Sequence, residues 1–255
     1  MKERIAQLAA QLKPKVVETY RDFHKYPEPG WTEFRTAATV VKRLQEMGYE
    51  VKYGAEVIKE EGMMGVPPAE VLAEKQQQAI EQGADPEIVA KMAGGKTGVV
   101  AILDTGKAGP TVGFRVDMDC NEVDEAKDEK HRPFREGFAS INEGAMHACG
   151  HDAHTAIGLG LAELLMEIKD ELKGKVKIVF QPAEEGVRGA KSMMEAGVVD
   201  DVDYMIGSHV GVSARKLGQV ICGGEGFLAT TKMDVTFTGV PAHAGGEPEA
   251  GRMLS

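Results

Sequence analysis

Cysteine is scarce in this 255-residue sequence: Cys120, Cys149 and Cys222 lie too far apart to form a disulfide framework. Long apolar runs are missing too, none reaching the roughly 18 residues of a membrane span. The opening MKERIAQLAAQLKPK carries charges every few residues where a signal peptide would have an apolar core, so the chain is read as cytoplasmic. There is no basic stripe or Lys/Arg cluster, and a formal net charge of −10 disfavours nucleic acid and anionic membrane as partners. Internal repeats and low-complexity tracts are absent. What remains is a chain with 42% hydrophobic residues, ample for a buried core, and small-molecule chemistry as its expected occupation.

Periodicity organises the chain. Helices are expected over Glu3–Tyr26 and Glu33–Gly48; in the second, Ala37, Val40, Val41, Leu44 and Met47 recur at helical spacing. YEVKY begins a short strand. Residues 55–95 are polar, with helix starts at Pro67-Pro68 and Asp85-Pro86, and are read as a helical insertion outside the core. TGVVAIL, TVGFRV, VKIVF and DYMIG are apolar, β-rich runs, with a helix over Ala153–Asp170 between the second and third. The fold class is therefore α/β, a largely parallel or mixed sheet flanked by helices, spanning 1–223. From Gly224 a smaller α+β domain, 224–255, is expected to begin, with Met233, Val235 and Phe237 alternating along a half-solvated strand.

The densest chemistry lies in MHACGHDAHTAIG. His147, Cys149 and His151 are spaced by two, so an extended segment projects them to one side. Helical periodicity follows at once, with Asp152 as a candidate N-cap. In KVKIVFQPAEEG, a proline ends a strand just before Glu184 and Glu185. Asp117 and Asp119 follow TVGFRV, and His209 follows DYMIGS. Three strands thus deliver carboxylates or imidazole to one sheet edge, where open α/β sheets bind ligands. A bland account exists for each piece, an incidental capping loop and a solvated acid pair, but it does not explain their shared placement. Thiolate, imidazole and carboxylate donors together suit Zn²⁺ or Mn²⁺ better than Ca²⁺ or Mg²⁺. Of two adjacent glutamates, one can bind metal while its neighbour takes a proton from the attacking water, which suits amide hydrolysis.

HACGHDAH, FQPAEEG, RVDMD, SHV, DFHKYPEPGWTEFRT and FTGVPAHAGG together resemble the M20 metallopeptidases, in their amidohydrolase branch of N-acyl-amino-acid and auxin-conjugate hydrolases. The likeness spans nearly the whole chain. The insertion at 55–95 and RVDMDCNEVDEAKDEKHRPFREGFAS resemble the branch's aminobenzoyl-glutamate hydrolase subfamily. The resemblance implies two divalent metal ions, Mn²⁺ ahead of Zn²⁺, held by Cys149, His151, Glu185 and His209, with Glu184 as general acid/base. It implies that His243, reaching from a smaller lid or dimerisation domain, stabilises an oxyanion. Asp119 and Asp152 would orient ligands; His147 and His154 would be structural or support ligands from behind. Cys120 and Cys222, the latter placed in a strand, would be packed thiols.

The implied reaction is attack by metal-bound hydroxide on the amide joining an acyl or p-aminobenzoyl group to an amino acid, glutamate above all. The implied partners are a small-molecule amide and a second subunit, identical or homologous. Members of the branch continue beyond the Gly-Arg at 251–252, with a last histidine ligand near their C-terminus. On that pattern a chain closing on GRMLS is expected to hold an incomplete site, to bind metal weakly and to turn over little. The competing readings are a related dinuclear-metal exopeptidase and a non-catalytic assembly subunit.

Overall fold

The computed structural model describes residues 1–255 except 212, 213, 224–230, 232, 234–237, 241, 243–245, 247 and 255. The chain divides into two compact units, Met1–Gln219 and Val220–Ser255.

The first unit opens with α1 (Lys2–Lys25) and α2 (Phe34–Glu46). Glu28, buried, starts α2 from outside: its two carboxylate oxygens accept the N–H groups of Arg35 and Thr36 at 2.8 Å each. After β1 (Glu50–Tyr53) come α3 (Ala69–Glu81) and α4 (Pro86–Ala90). Asp85 caps α4, accepting from Glu87 N–H at 2.9 Å. Then follow β2 (Val99–Asp104), β3 (Thr111–Asp117), the short α5 (Arg132–Arg135), α6 (His151–Glu167), β4 (Lys175–Gln181), α7 (Ala190–Glu195) and β5 (Tyr204–Gly207).

The five strands form one mixed sheet in the order β1-β2-β4-β3-β5. β3 runs parallel to β4 and β5, whereas β2 is antiparallel to both β1 and β4. Period-two alternation sends the side chains of β2 and β4 to both faces. Val99, Ala101, Leu103, Val176, Ile178 and Phe180 join the core beneath α1, α2 and α6, and Val100 and Val179 pack on the other face with Trp31, Ile58 and Met193. Residue 158 in α6 is a glycine because a Cβ there would meet Phe180 at 2.9 Å and Val116 at 3.0 Å.

Three expectations change in this unit. The 55–95 segment is not a peripheral insertion: Leu72, Ala79, Ala84, Ile88, Val89 and Met92 are buried in the main core. Its polar residues occupy the outer faces of α3 and α4, so polar composition concealed a narrow apolar stripe. Asp152 does not cap α6. That helix starts two residues earlier than expected, at His151, from Gly150 with φ 89°, because only glycine adopts this left-handed conformation cheaply. The chain accordingly bends at 149–150 and enters the helix at His151 instead of running extended through it, so alternation is not what groups these side chains.

The second unit contains an antiparallel pair, β6 (Thr238–Val240) and β7 (Arg252–Leu254). Cys222 is exposed and outside any strand, not packed in one. Met233 is likewise exposed outside a strand, while Val235 and Phe237 lie outside the described residues.

If residues 55–95 are core, Met92→Ala should cost about 2–5 kcal/mol in urea unfolding, the range for emptying a large buried side chain. A loss within ~0.5 kcal/mol, typical of surface sites, would return the segment to the periphery.

Candidate metal centre

β3 and β4 are in register at their ends, Asp117 opposite Gln181, so the segments leaving them emerge side by side. Beyond β4 the chain turns sharply at Pro182 and Ala183. Ala183 has φ 48°, uncommon for a residue with a side chain. Beyond β3, the fully buried Asp119 binds this turn: Oδ1 accepts the N–H of Glu184 at 2.9 Å and Oδ2 that of Glu185 at 2.8 Å. The backbone carbonyl of Asp119 also accepts the Nδ1–H of His151 at 2.8 Å. That bond fixes the tautomer of the neutral His151 ring and leaves Nε2 buried and without a partner among the described residues, the nitrogen a cation would take.

His209 is prepared in the same way. Its Nδ1–H donates to the Val210 carbonyl at 2.8 Å, and its Nε2 lies 3.3 Å from Cys149 Sγ. Val210 is held in turn by His154, whose Nε2 accepts the Val210 N–H at 2.9 Å while Nδ1–H donates to Asp117 Oδ1 at 2.5 Å. A side chain at Gly150 would put its Cβ 2.7 Å from Val210 Cγ2, so the glycine that starts α6 also admits the His209 segment.

Three overlapping donor sets, each with ligand atoms within 4.8 Å of one another, share His151: Cys149–His151–His209, His151–Glu184–Glu185 and Asp117–His151–His154. In the third, both ring nitrogens of His154 are already engaged, so it supports the site from behind instead of offering a ligand. Glu185 Oε1 is buried and, like His151 Nε2, has no partner among the described residues. These orphaned donors fit a bound cation.

Electrostatics agree. Burial and the carboxylates of Glu185, Glu184 and Asp117 push the Cys149 thiol up to about 11, so a thiolate there needs added positive charge. Burial lowers the pKa of His151, but its bond to Asp119 and the nearby Asp117 and Glu184 outweigh this and raise it to about 9, so near neutrality a cation must displace the proton on Nε2 before it can take the lone pair. Burial and neighbouring acids also raise Glu184. Asp117 stays anionic: against burial, the His154 hydrogen bond and Arg115 hold it at about 2. Arg115 Nη1 is in ion-pair contact with Asp117 Oδ2 at 2.6 Å, without the alignment of a hydrogen bond.

The structure thus brings Cys149, His151, Glu184, Glu185 and His209 together, with Asp119 and His154 behind them. His147 is not among them: buried, its two ring nitrogens have no partner among the described residues, and burial lowers it to about 4. Asp152 is aimed away, its carboxylate accepting from His24 Nδ1 at 2.6 Å, because as the second residue of α6 it faces α1. The opposite nitrogen of His24 bonds Glu125 at 2.9 Å, so one imidazole ties α1 to α6 and to the loop after β3. His243 lies outside the described residues. Beside Cys149 and His209 opens a cleft of about 590 Å³, also lined by Tyr20 and His147.

Sequence reasoning missed Glu33. It is fully buried, and its Oε1 accepts the N–H of Ala183 at 2.7 Å from 150 residues away. The only signal was its presence in DFHKYPEPGWTEFRT, whose individual residues carried no assigned roles.

Residues 113–248, more than half of the chain, match the model of peptidase family M20/M25/M40. The chain belongs to this family. It is 53% identical to indole-3-acetyl-aspartic acid hydrolase of Enterobacter agglomerans over 95% of this chain and 55% of that protein. It is 51% identical to one subunit of the p-aminobenzoyl-glutamate hydrolase of Escherichia coli over 98% of this chain and 57% of that one. Among solved structures, an aminobenzoyl-glutamate utilization protein from Klebsiella pneumoniae superposes with a TM-score of 0.77 at 46% identity, covering 97% of this chain and 56% of that one. The chain therefore spans about half the length of the curated M20/M25/M40 relatives it matches.

Burial and the facing Asp119 raise Glu33 from 4.5 to about 8. Folding then takes up a proton at Glu33, so its contribution is complete below 4.5 and is lost as pH rises through about 8. Between pH 6 and pH 8, unfolding free energy should fall up to ~1 kcal/mol per pH unit more steeply in the wild type than in Glu33→Gln. Parallel pH profiles for the two proteins would show that Glu33 is ionised in the fold.

Proposed function

We propose that these residues form the metal-binding and proton-transfer centre of an amidohydrolase that cleaves N-acyl or p-aminobenzoyl amino acids. The observation that carries this reading is His151, common to the Cys149–His209 and Glu184–Glu185 donor sets, whose Nε2 has no partner among the described residues. The ligands we assign are Cys149, His151, Glu185 and His209, taking up two divalent ions. Mn²⁺, suited by the carboxylate donors, is tried first, and Zn²⁺, suited by thiolate and imidazole, second. Such ions, when bound, polarise a substrate carbonyl and lower the pKa of water.

The remaining work belongs to side chains. Glu184 Oε2 lies 3.8 Å from His151 Nε2, and its side chain is 36% exposed, so it can meet both the site and a substrate. Glu184 takes the proton of the attacking water and returns it to the leaving nitrogen. Asp119 keeps Glu184 and Glu185 from exchanging places, because each backbone N–H is bound to a different oxygen. We assign stabilisation of the oxyanion to His243.

For the amino acid released we favour glutamate, in keeping with the p-aminobenzoyl-glutamate hydrolase of which one subunit is 51% identical to this chain. That relative is named as one part of a larger enzyme, which supports assembly with a second, identical or homologous chain. We assign the catalytic domain to 1–223 and the start of a lid or dimerisation domain to 224–255. A cytoplasmic setting fits a thiol ligand, which needs reducing conditions. Among the described residues no helix is long and apolar enough to cross a membrane.

Hydrolysis of p-aminobenzoyl-glutamate, indole-3-acetyl-aspartate and a dipeptide panel with Mn²⁺ tests the substrate class; preference for free dipeptides would favour an exopeptidase. In active enzyme, Glu184→Gln should keep its metal and lose about 10²- to 10⁴-fold in kcat, while Glu185→Gln should lose metal as well. A loss below tenfold in Glu184→Gln removes it from proton transfer.

Alkylation tests the thiol separately. Mn²⁺ or Zn²⁺ should slow iodoacetamide labelling of Cys149 at least tenfold, leaving the exposed Cys222 unchanged. Equal labelling of Cys149 with and without metal would exclude it as a ligand.

A further inference from the structure

The turn carrying Glu184 and Glu185 directs three successive backbone N–H groups into the protein. Asp119 accepts two of them. The third, from Ala183, goes to Glu33 Oε1, while Glu33 Oε2 shares a hydrogen bond of 2.6 Å with the Thr97 hydroxyl. Glu33 is wholly buried and has no cationic partner among the described residues, an arrangement that costs free energy unless its bonds are well made.

Its benefit is not the start of α2, because Glu28 already accepts the N–H groups of Arg35 and Thr36 there. Its bond instead falls on Ala183, the residue whose φ of 48° sets the direction of the two that follow. From the other side, the Ala183 carbonyl accepts from Arg188 at 3.1 Å and Gly189 at 2.8 Å. Gly30 leaves the space this requires, since a Cβ there would lie 3.0 Å from Ala183 Cα. A backbone conformation this costly persists only where its surroundings over-determine it.

We propose that Glu33 is a positioning residue for the Glu184–Glu185 pair: by holding the Ala183 N–H it fixes the turn that aims both carboxylates at the metal centre. The metal part of this inference rests on the function proposed above; the turn-fixing part does not.

The test measures Mn²⁺ affinity by electron paramagnetic resonance of the free ion, and amide hydrogen exchange at 183–185 in metal-free protein. Glu33→Asp, which withdraws the carboxylate by one methylene, should weaken Mn²⁺ about 10- to 100-fold, as for other residues that orient ligands. It should also speed exchange at Ala183 at least tenfold. Glu33→Gln keeps an acceptor for Ala183 and a donor for Thr97, and should stay within about threefold of wild type in both. Leu44→Ala, a core change in α2, should lower Tm without altering either. Should Glu33→Asp not fold, Thr97→Val should give a smaller loss in the same direction.

If Glu33→Asp lowers Tm as Leu44→Ala does but leaves affinity and exchange at wild-type values, Glu33 only supports the fold and the proposal is wrong. If the wild-type chain itself takes up no Mn²⁺, the metal reading fails, and exchange at Ala183 alone decides the role of Glu33.

Discussion

Two buried carboxylates beneath one turn hold this site in place. Glu33 and Asp119 between them accept the N–H groups of Ala183, Glu184 and Glu185, and the Asp119 carbonyl also takes the Nδ1–H of His151. The end of β3, the turn after β4 and the first residue of α6 are thereby fastened through one residue. Because each bond uses a polar group that cannot reach water, none can be lost without leaving a buried donor or acceptor unmet. The open valences that remain, His151 Nε2 and Glu185 Oε1, face a region rich in acids, where Arg115 is paired to Asp117. A cation is the economical answer to that imbalance.

Support spreads outward in ranks. His154 spends one nitrogen on Asp117 and the other on Val210, and Val210 in turn receives the ring proton of His209. His24 bridges Asp152 and Glu125, and although burial lowers its pKa, those two hydrogen bonds raise it on balance, favouring an imidazolium between two acids. The histidines nearest one another in sequence therefore do different work: His151 offers a lone pair, His154 braces a neighbouring segment, and His147 does neither among the described residues.

Much of this was legible in the sequence where the signal is local. Strand runs, the two long helices and the delivery of Glu184, Glu185, Asp117, Asp119 and His209 to one edge all follow from periodicity and from the rule for α/β sheets. Residues 55–95 misled because their core contribution is one residue in three or four, diluted by Gln, Glu and Lys. Asp152 misled because a left-handed glycine replaced the expected side-chain cap, and φ is not written in a residue pattern. Glu33 was invisible as a site component for a stronger reason: its partners are 64 and 150 residues away, and no spacing rule reaches that far.

That separation has a consequence in time. At a synthesis rate of roughly 5–20 residues per second, the 150 residues between Glu33 and Ala183 take on the order of ten seconds to emerge. Throughout that interval Glu33 is an ordinary solvated carboxylate, because the N–H group it will hold has not yet been made. Cys149 and His151 likewise emerge before Glu184, Glu185 and His209, so the donor sets that include those three cannot form until the chain has passed the Ala183 turn.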